Sequence, residues 1–240
     1  MALLEVRTIS KSFRGLRAIH DVSFEVAEGA IVALIGPNGA GKTSCFNVIA
    51  GEFAADAGSV TLDGRPLTGL RPNQICHAGI GRTFQLVRPF INLTVEENVI
   101  VGALRRFPDV SMARREAGRI LDLLGLGGKR AAMAGSLTLP ERKRLEVARA
   151  LATGPRVLLL DEVMAGLRPT ETDQLVAVFR RLNQEIGLTI LLIEHVMRAV
   201  MALAGQVVVL NHGQVISRGT PEAVVRDPAV LECYLGEAAL

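Results

Sequence analysis

Ile31-Val32-Ala33-Leu34-Ile35 runs straight into Gly36-Pro37-Asn38-Gly39-Ala40-Gly41-Lys42-Thr43, an apolar strand meeting a glycine-rich turn. The turn fits G-x-x-x-x-G-K-[ST] at every fixed position, and the residues from Lys42 to about Ala50 continue as a helix. Glycines there let backbone N–H groups wrap phosphate oxygens, and the helix N-terminus adds partial positive charge. The expected nucleotide contacts are Gly36, Pro37, Asn38, Gly39, Ala40, Gly41, Lys42, Thr43 and Ser44. Lys42 reaches the β- and γ-phosphates, and Thr43 offers its hydroxyl to Mg²⁺.

A second element completes such a site. Val157-Leu158-Leu159-Leu160 is an apolar strand ending in Asp161 and Glu162. Acids at the carboxyl end of a buried parallel strand lie where ligands bind in open α/β sheets. Asp161 is expected to hold Mg²⁺ through water, and Glu162 to orient or deprotonate the attacking water. His195 follows the strand Thr189 to Ile193 and can reach the γ-phosphate. Gln85 closes Gly79 to Phe84, and its amide can touch Mg²⁺ or the water. Taken alone, the two acids, the histidine and the glutamine each read as ordinary polar strand ends.

Hydrophobic residues make up 49 % of the 240, aromatic residues only 4 %, and there is no Trp. An aliphatic core of this kind suits parallel strands buried on both faces. The formal net charge of +3 does not by itself argue for nucleic acid. The densest basic cluster, Glu141-Arg142-Lys143-Arg144, reads as a solvated helix face. Cys45, Cys76 and Cys233 have neither disulfide nor zinc spacing and suit a reducing cytosol. The start, Met1 to Val6, reads as no secretory leader. The longest uncharged run, Ala199 to Ser217, has an apolar part too short for a membrane span of about 20 residues. The chain is expected to be soluble and to meet a membrane only through a partner.

Leu4 to Val26 alternates in strand-like bursts and predicts an antiparallel subdomain. Strands are expected again at 58–63 and 79–84. From Thr94 to Gly125 the pattern is helical, broken near Pro108, with Ser111 as the expected cap of the second helix. Helices over 139–153, 170–185 and 195–203 alternate with strands over 157–160, 188–193, 206–210 and 214–217, and short helical pieces close the chain. Strand and helix alternation of this kind implies a mostly parallel sheet covered on both faces.

The order of phosphate loop, Gln85, helical insert, signature helix, Asp161-Glu162 and His195 resembles the ABC ATPase family over essentially the whole chain. The resemblance implies one P-loop ABC-type ATPase domain over 1–240. Its RecA-like core spans about 1–84 and 155–240, and its helical subdomain about 85–154. It also implies Phe13 stacked on adenine, a dimer with ATP between one phosphate loop and the other signature helix, and ATP hydrolysis coupled to solute transport. Gly79 to Gln85, Val87 to Phe90, Leu93 to Asn98, Ala165-Gly166-Leu167, Gly219 to Glu222 and Tyr234 to Glu237 resemble the branched-chain amino-acid uptake branch, in its larger-type ATPase. That branch also holds urea and amide importers. The partners so implied are integral-membrane permeases, a second ATPase subunit (a copy or a sibling) and, indirectly, a solute-binding protein. No nucleic acid is implied. The location implied is the cytoplasmic face of the cell (inner) membrane.

The chain departs from the family at its signature. Where Leu-Ser-Gly-Gly-Gln is usual, Leu137-Thr138-Leu139-Pro140-Glu141 stands. Thr138 as N-cap, Pro140 in the first turn and Glu141 at the capping-box position still start a helix, and Thr138 keeps a hydroxyl for an anion. An acid facing a γ-phosphate would repel it, so unless Glu141 turns away this half-site is expected to be weak. Val163 replaces the usual proline, and Arg168 an acid that touches the other subunit. Rival readings are a non-transport ABC ATPase, a nucleotide-binding module without hydrolysis, and the ATPase of a lipid or lipopolysaccharide exporter. The short interval from Gln85 to Leu137 leaves no room for the coiled coil of repair types.

Overall fold

The computed structural model describes residues 2–235. Gly236 and Glu237, part of the C-terminal resemblance, lie outside them. In chain order the elements are β1 (Ala2–Phe13), β2 (Leu16–Ala27), β3 (Ile31–Ile35), α1 (Lys42–Ile49), β4 (Ala57–Leu62), β5 (Arg65–Pro66), α2 (Pro72–Ala78) and β6 (Ile80–Arg82). There follow α3 (Val95–Ala103), α4 (Val110–Leu123), α5 (Leu139–Ala152), β7 (Val157–Asp161), α6 (Pro169–Ile186) and β8 (Thr189–Ile193). Then come α7 (Met197–Leu203), β9 (Gln206–Asn211), β10 (Gln214–Gly219), α8 (Pro221–Val224) and α9 (Pro228–Leu235).

Strands β3, β7 and β8 are buried at every position, as uninterrupted aliphatic runs require. They form the middle of a six-stranded sheet of order β10-β9-β3-β8-β7-β6. All its pairings are parallel except β9 with β10. The carboxyl ends of β3, β8, β7 and β6 therefore share one edge. That edge gathers the phosphate loop, His195, Asp161-Glu162 and Gln85, which are far apart in sequence.

Period-two alternation divides each central strand between two cores. Val32 and Leu34 join Leu4, Val6, Phe24, Val60 and α1's Phe46 and Ile49. These lie under the antiparallel sheet of order β2-β1-β4-β5, which the alternation in Leu4 to Val26 predicts. Ile31, Ala33 and Ile35 join the other core, together with Val95, Val99, Ile120, Leu121, Leu145 and Val147 of α3, α4 and α5.

Several expectations need correction. Asp109, not Ser111, caps α4: its carboxylate accepts from the N–H groups of Ser111 and Met112. The strand expected over 79–84 shortens to β6, although Thr83 N–H still donates to Leu159 O at 2.9 Å. The helix expected from His195 begins at Met197. Helix α2 lies in a stretch where no element was expected. The Glu141 to Arg144 cluster is not a solvated face: Lys143 is only 4 % exposed. Among the described residues, no helix is long and apolar enough to cross a membrane.

Candidate active site

The phosphate loop leaves β3 through Gly36 and enters α1 at Gly41, whose φ is +99°. A Cβ on Gly41 would stand 2.4 Å from Ala18 O, so the loop closes against β2 only without a side chain there. Lys42 is buried, and its Nζ donates to Gly36 O at 2.7 Å and Pro37 O at 2.8 Å. The ammonium is thus laid back along the loop. Asn38, Gly39, Ala40, Gly41, Lys42, Thr43 and Ser44 line a cavity of about 540 Å³ with Phe13, Gln85, Glu162 and His195. That is ample for a nucleotide-sized ligand. Gly36 and Pro37 do not line it; they turn the chain and accept from Lys42. Phe13 and Phe53 make a T-shaped pair, ring centroids 5.0 Å apart, and the Lys11 ammonium lies 5.7 Å from the Phe13 centroid.

Glu162 directly follows β7. Its φ of +49° is rare for a residue with a side chain, and its N–H donates to Ile193 O at 2.9 Å. Gln85 Nε2 donates to Glu162 Oε2 at 2.7 Å, and His195 Nε2 meets Glu162 Oε1 at 2.8 Å. The fold therefore brings Gln85, Glu162 and His195 together from three strand ends. Each carboxylate oxygen keeps a further lone pair with which to accept a proton.

Asp161 is almost wholly buried, and burial pushes its carboxyl above the usual range against the pull of Arg82. Arg82 Nη2 donates to its Oδ2 at 3.1 Å. Its Oδ1 is buried and has no hydrogen-bond partner. Asp161, Thr43 and Gln85 line one cavity. A hydroxyl, an amide and one uncommitted carboxylate oxygen fit Mg²⁺, which binds few protein carboxylates and takes its other ligands from phosphates and water. Among the described residues no group of three or more His, Cys, Asp or Glu could hold a metal alone.

Three further residues join the site that sequence reasoning missed. Lys143 Nζ donates to the main-chain carbonyl of Glu162 at 3.2 Å. Burial lowers its pKa, while Glu194, Glu162, Glu146 and Asp161 pull the other way. Glu194, beside His195, accepts Met164 N–H at 2.9 Å, and burial pushes it up to about 7, helped by the charge of Glu162. Arg82 is the third. Lys143 was legible: it precedes Val147 by four residues and Ala150 by seven, on the buried stripe of α5. The long-range partners of Arg82 and Glu194 leave no local pattern.

Thr138 does not line the cavity; it caps α5, and its N–H donates to Glu141 Oε2 at 2.9 Å. Glu141 Oε1 pairs with Lys129 at 2.5 Å, and that partner holds its carboxyl below the usual range. The feared acid is thus folded back and compensated. The same fold-back engages the Thr138 N–H, and Leu139 is left 46 % exposed. Arg168, at the start of α6, closes on Glu171 at 2.6 Å within its own helix cap.

These geometries agree with what the chain is similar to. A family model described as ABC transporter matches residues 19–165, and one described as branched-chain amino acid ATP-binding cassette transporter matches 214–239. The high-affinity branched-chain amino acid transport ATP-binding protein BraF of Pseudomonas aeruginosa is 39 % identical, with 98 % of each chain covered. LivG of Escherichia coli K12, named for the same transport, is 39 % identical over 98 % of each chain. An ATP-binding cassette of an ABC transporter, solved in its ADP conformation, superposes with a TM-score of 0.89 at 32 % identity, covering 98 % of this chain and 99 % of that one. With the phosphate loop, the paired acids and the glutamine and histidine strand ends on one sheet edge, and with relatives matched from end to end, the chain belongs to the ABC transporter family, as one of its ATP-hydrolysing cassettes.

Proposed function

We propose that this cassette powers an importer of branched-chain amino acids. The observation that carries the ATPase chemistry is Glu162 held between Gln85 and His195 on the wall that faces the phosphate loop. Lys42 leaves the carbonyls of Gly36 and Pro37 for the β- and γ-phosphates, and Phe13 stacks on the adenine. Thr43, Asp161 and Gln85 hold Mg²⁺, which when bound offsets charge on the β- and γ-phosphate oxygens. Glu162 accepts the proton of the water that attacks the γ-phosphorus. His195 fixes Glu162 and reaches the γ-phosphate. The named transport of the relatives and the match over residues 214–239 support the solute class.

The membrane partners are permease subunits, and the cassette works at the cytoplasmic face of the cell membrane. A groove of about 410 Å³ lined by Ile75, Phe84, Val101, Arg105, Glu146 and Arg149 supports docking of a permease helix, with Phe84 48 % exposed at its rim. The altered signature favours a sibling cassette over a second copy of this chain. Both signature glycines are replaced and Pro140 has no N–H to offer, so a nucleotide on a partner's phosphate loop gains little from this α5.

The test is co-purification of Glu162→Gln protein with ATP in mild detergent, paired with phosphate release by the parent chain. Recovery of two hydrophobic permeases and a second cassette supports the reading. Ribosomes, nucleic acid or lipopolysaccharide-export components in their place overturn the transport assignment. Absence of phosphate release from the parent complex overturns the Glu162 assignment.

A further inference from the structure

Arg82 and Asp161 form a buried ion pair that leaves much of its hydrogen-bonding capacity unused. Their side chains are 10 % and 2 % exposed, yet they share a single contact, Nη2 to Oδ2 at 3.1 Å. Nε and Nη1 of Arg82 and Oδ1 of Asp161 are buried without hydrogen-bond partners. Arginine–carboxylate pairs frequently meet through two parallel bonds. A buried pair so incompletely satisfied adds little stability for its desolvation cost, so stability does not explain it.

Position does. Arg82 lies opposite Leu159 in the β6–β7 register, two residues before Asp161. The next residue, Thr83, accepts the Asp161 N–H on its Oγ1 at 3.1 Å. The carboxylate is therefore fixed at its main chain and at one oxygen. The other oxygen is left unbonded beside the cavity that Thr43 and Gln85 also line. On its other side the Arg82 guanidinium lies 5.2 Å from the centroid of the Phe84 ring. Phe84 lines the groove together with Glu146 of α5.

We infer that Arg82 is a positioning residue for the divalent cation. It holds Asp161 by Oδ2 so that Oδ1 is left for the ion, and through Phe84 it ties that hold to the permease helix proposed for the groove. Hydrogen bonds that orient ligating carboxylates act in this way in metal sites generally. The inference rests on the proposed cation site of Thr43, Gln85 and Asp161, and adds a route of two residues from the groove to that site.

The test titrates Mn²⁺ into the full chain with a slowly hydrolysed ATP analogue and reads bound ion by electron paramagnetic resonance. Arg82→Met is expected to weaken Mn²⁺ binding about ten- to hundredfold, while analogue binding without metal stays within about twofold of the parent. Arg82→Lys, which keeps the charge, should recover part of the loss. Phe84→Ala, outside the ion's shell, should weaken Mn²⁺ several-fold. Mn²⁺ affinity in Arg82→Met within twofold of the parent overturns the inference. If that variant does not fold, unchanged affinity in both Arg82→Lys and Phe84→Ala overturns it. If Asp161→Asn binds Mn²⁺ as the parent does, the cation site itself is misassigned, a failure distinguishable from that of Arg82.

Discussion

Lys143, on the helix that begins at the signature, donates its ammonium to the main-chain carbonyl of Glu162 at 3.2 Å. The acid proposed to act on this cassette's own nucleotide is thus held by the helix proposed to face the nucleotide of a second cassette. Lys143→Met removes that bond and takes a buried positive charge away from Glu194 and Glu162. Turnover is expected to fall about tenfold, equal to about 1.4 kcal/mol of barrier, with KM for ATP changed less than about threefold. Steady-state phosphate release checks the split. A raised KM with unchanged kcat would assign Lys143 to binding instead.

Glu194 makes folding stability depend on pH. Its carboxyl is pushed from 4.5 up to about 7 by burial and the charge of Glu162. The folded protein therefore holds a proton that the unfolded chain has released between about pH 4.5 and 7. The resulting stability is complete below 4.5 and is lost as the pH rises through 7, by up to about 3 kcal/mol. Glu194→Gln should flatten this part of the profile. Denaturant unfolding at a series of pH values between 5 and 8 measures it, and equal slopes in parent and variant would contradict it.

Two glycines of the phosphate loop separate backbone strain from crowding. Gly39, at φ +76°, has open space where a Cβ would go, whereas a Cβ on Gly41, at φ +99°, would strike Ala18 O at 2.4 Å. Gly39→Ala should cost about 1 kcal/mol, the left-handed penalty alone. Gly41→Ala should cost about 3 kcal/mol or more, because β2 must also move. Thermal unfolding of the nucleotide-free chain gives both values. Equal losses would show that β2 yields freely at Ala18.

The signature can be tested by restoring what it lacks. Leu139→Gly with Pro140→Gly, in the Glu162→Gln background, should tighten ATP-dependent dimerisation of this chain about tenfold, or about 1.4 kcal/mol. The expected cost is about 1 kcal/mol of helix stability. Sedimentation analysis with and without ATP reads the gain. Without a gain, close approach at α5 is not the limiting feature of this half-site.

Much of the architecture was legible because its causes are local. β3 and the phosphate loop announce themselves by an apolar run, glycines and a lysine. β7 and β8 do so by charge-free aliphatic stretches that end in acid or histidine. Helix α2 had its own markers, Pro72 in the first turn and Gly79 beyond the last, but its polar surface hid it. Asp109 outcompeted Ser111 as cap because its carboxylate accepts two N–H groups at once. Glu141 was placed correctly by the capping-box spacing, but Lys129, its second partner, is brought in by the fold. The same holds for Arg82 and Asp161, which no periodicity connects.

The core beneath α3, α4 and α5 runs without a break into the sheet, where Leu158 and Leu160 of β7 belong to the same packed cluster as Val99, Leu121 and Leu145. Close-packed interiors compress little. If a permease helix fills the groove as proposed, the insert between β6 and β7 would act as a stiff lever, passing a push on to the strand that carries Asp161 as displacement. An added cavity in this cluster, far from any nucleotide contact, would act as slack in that lever and loosen the stroke before it loosened the fold.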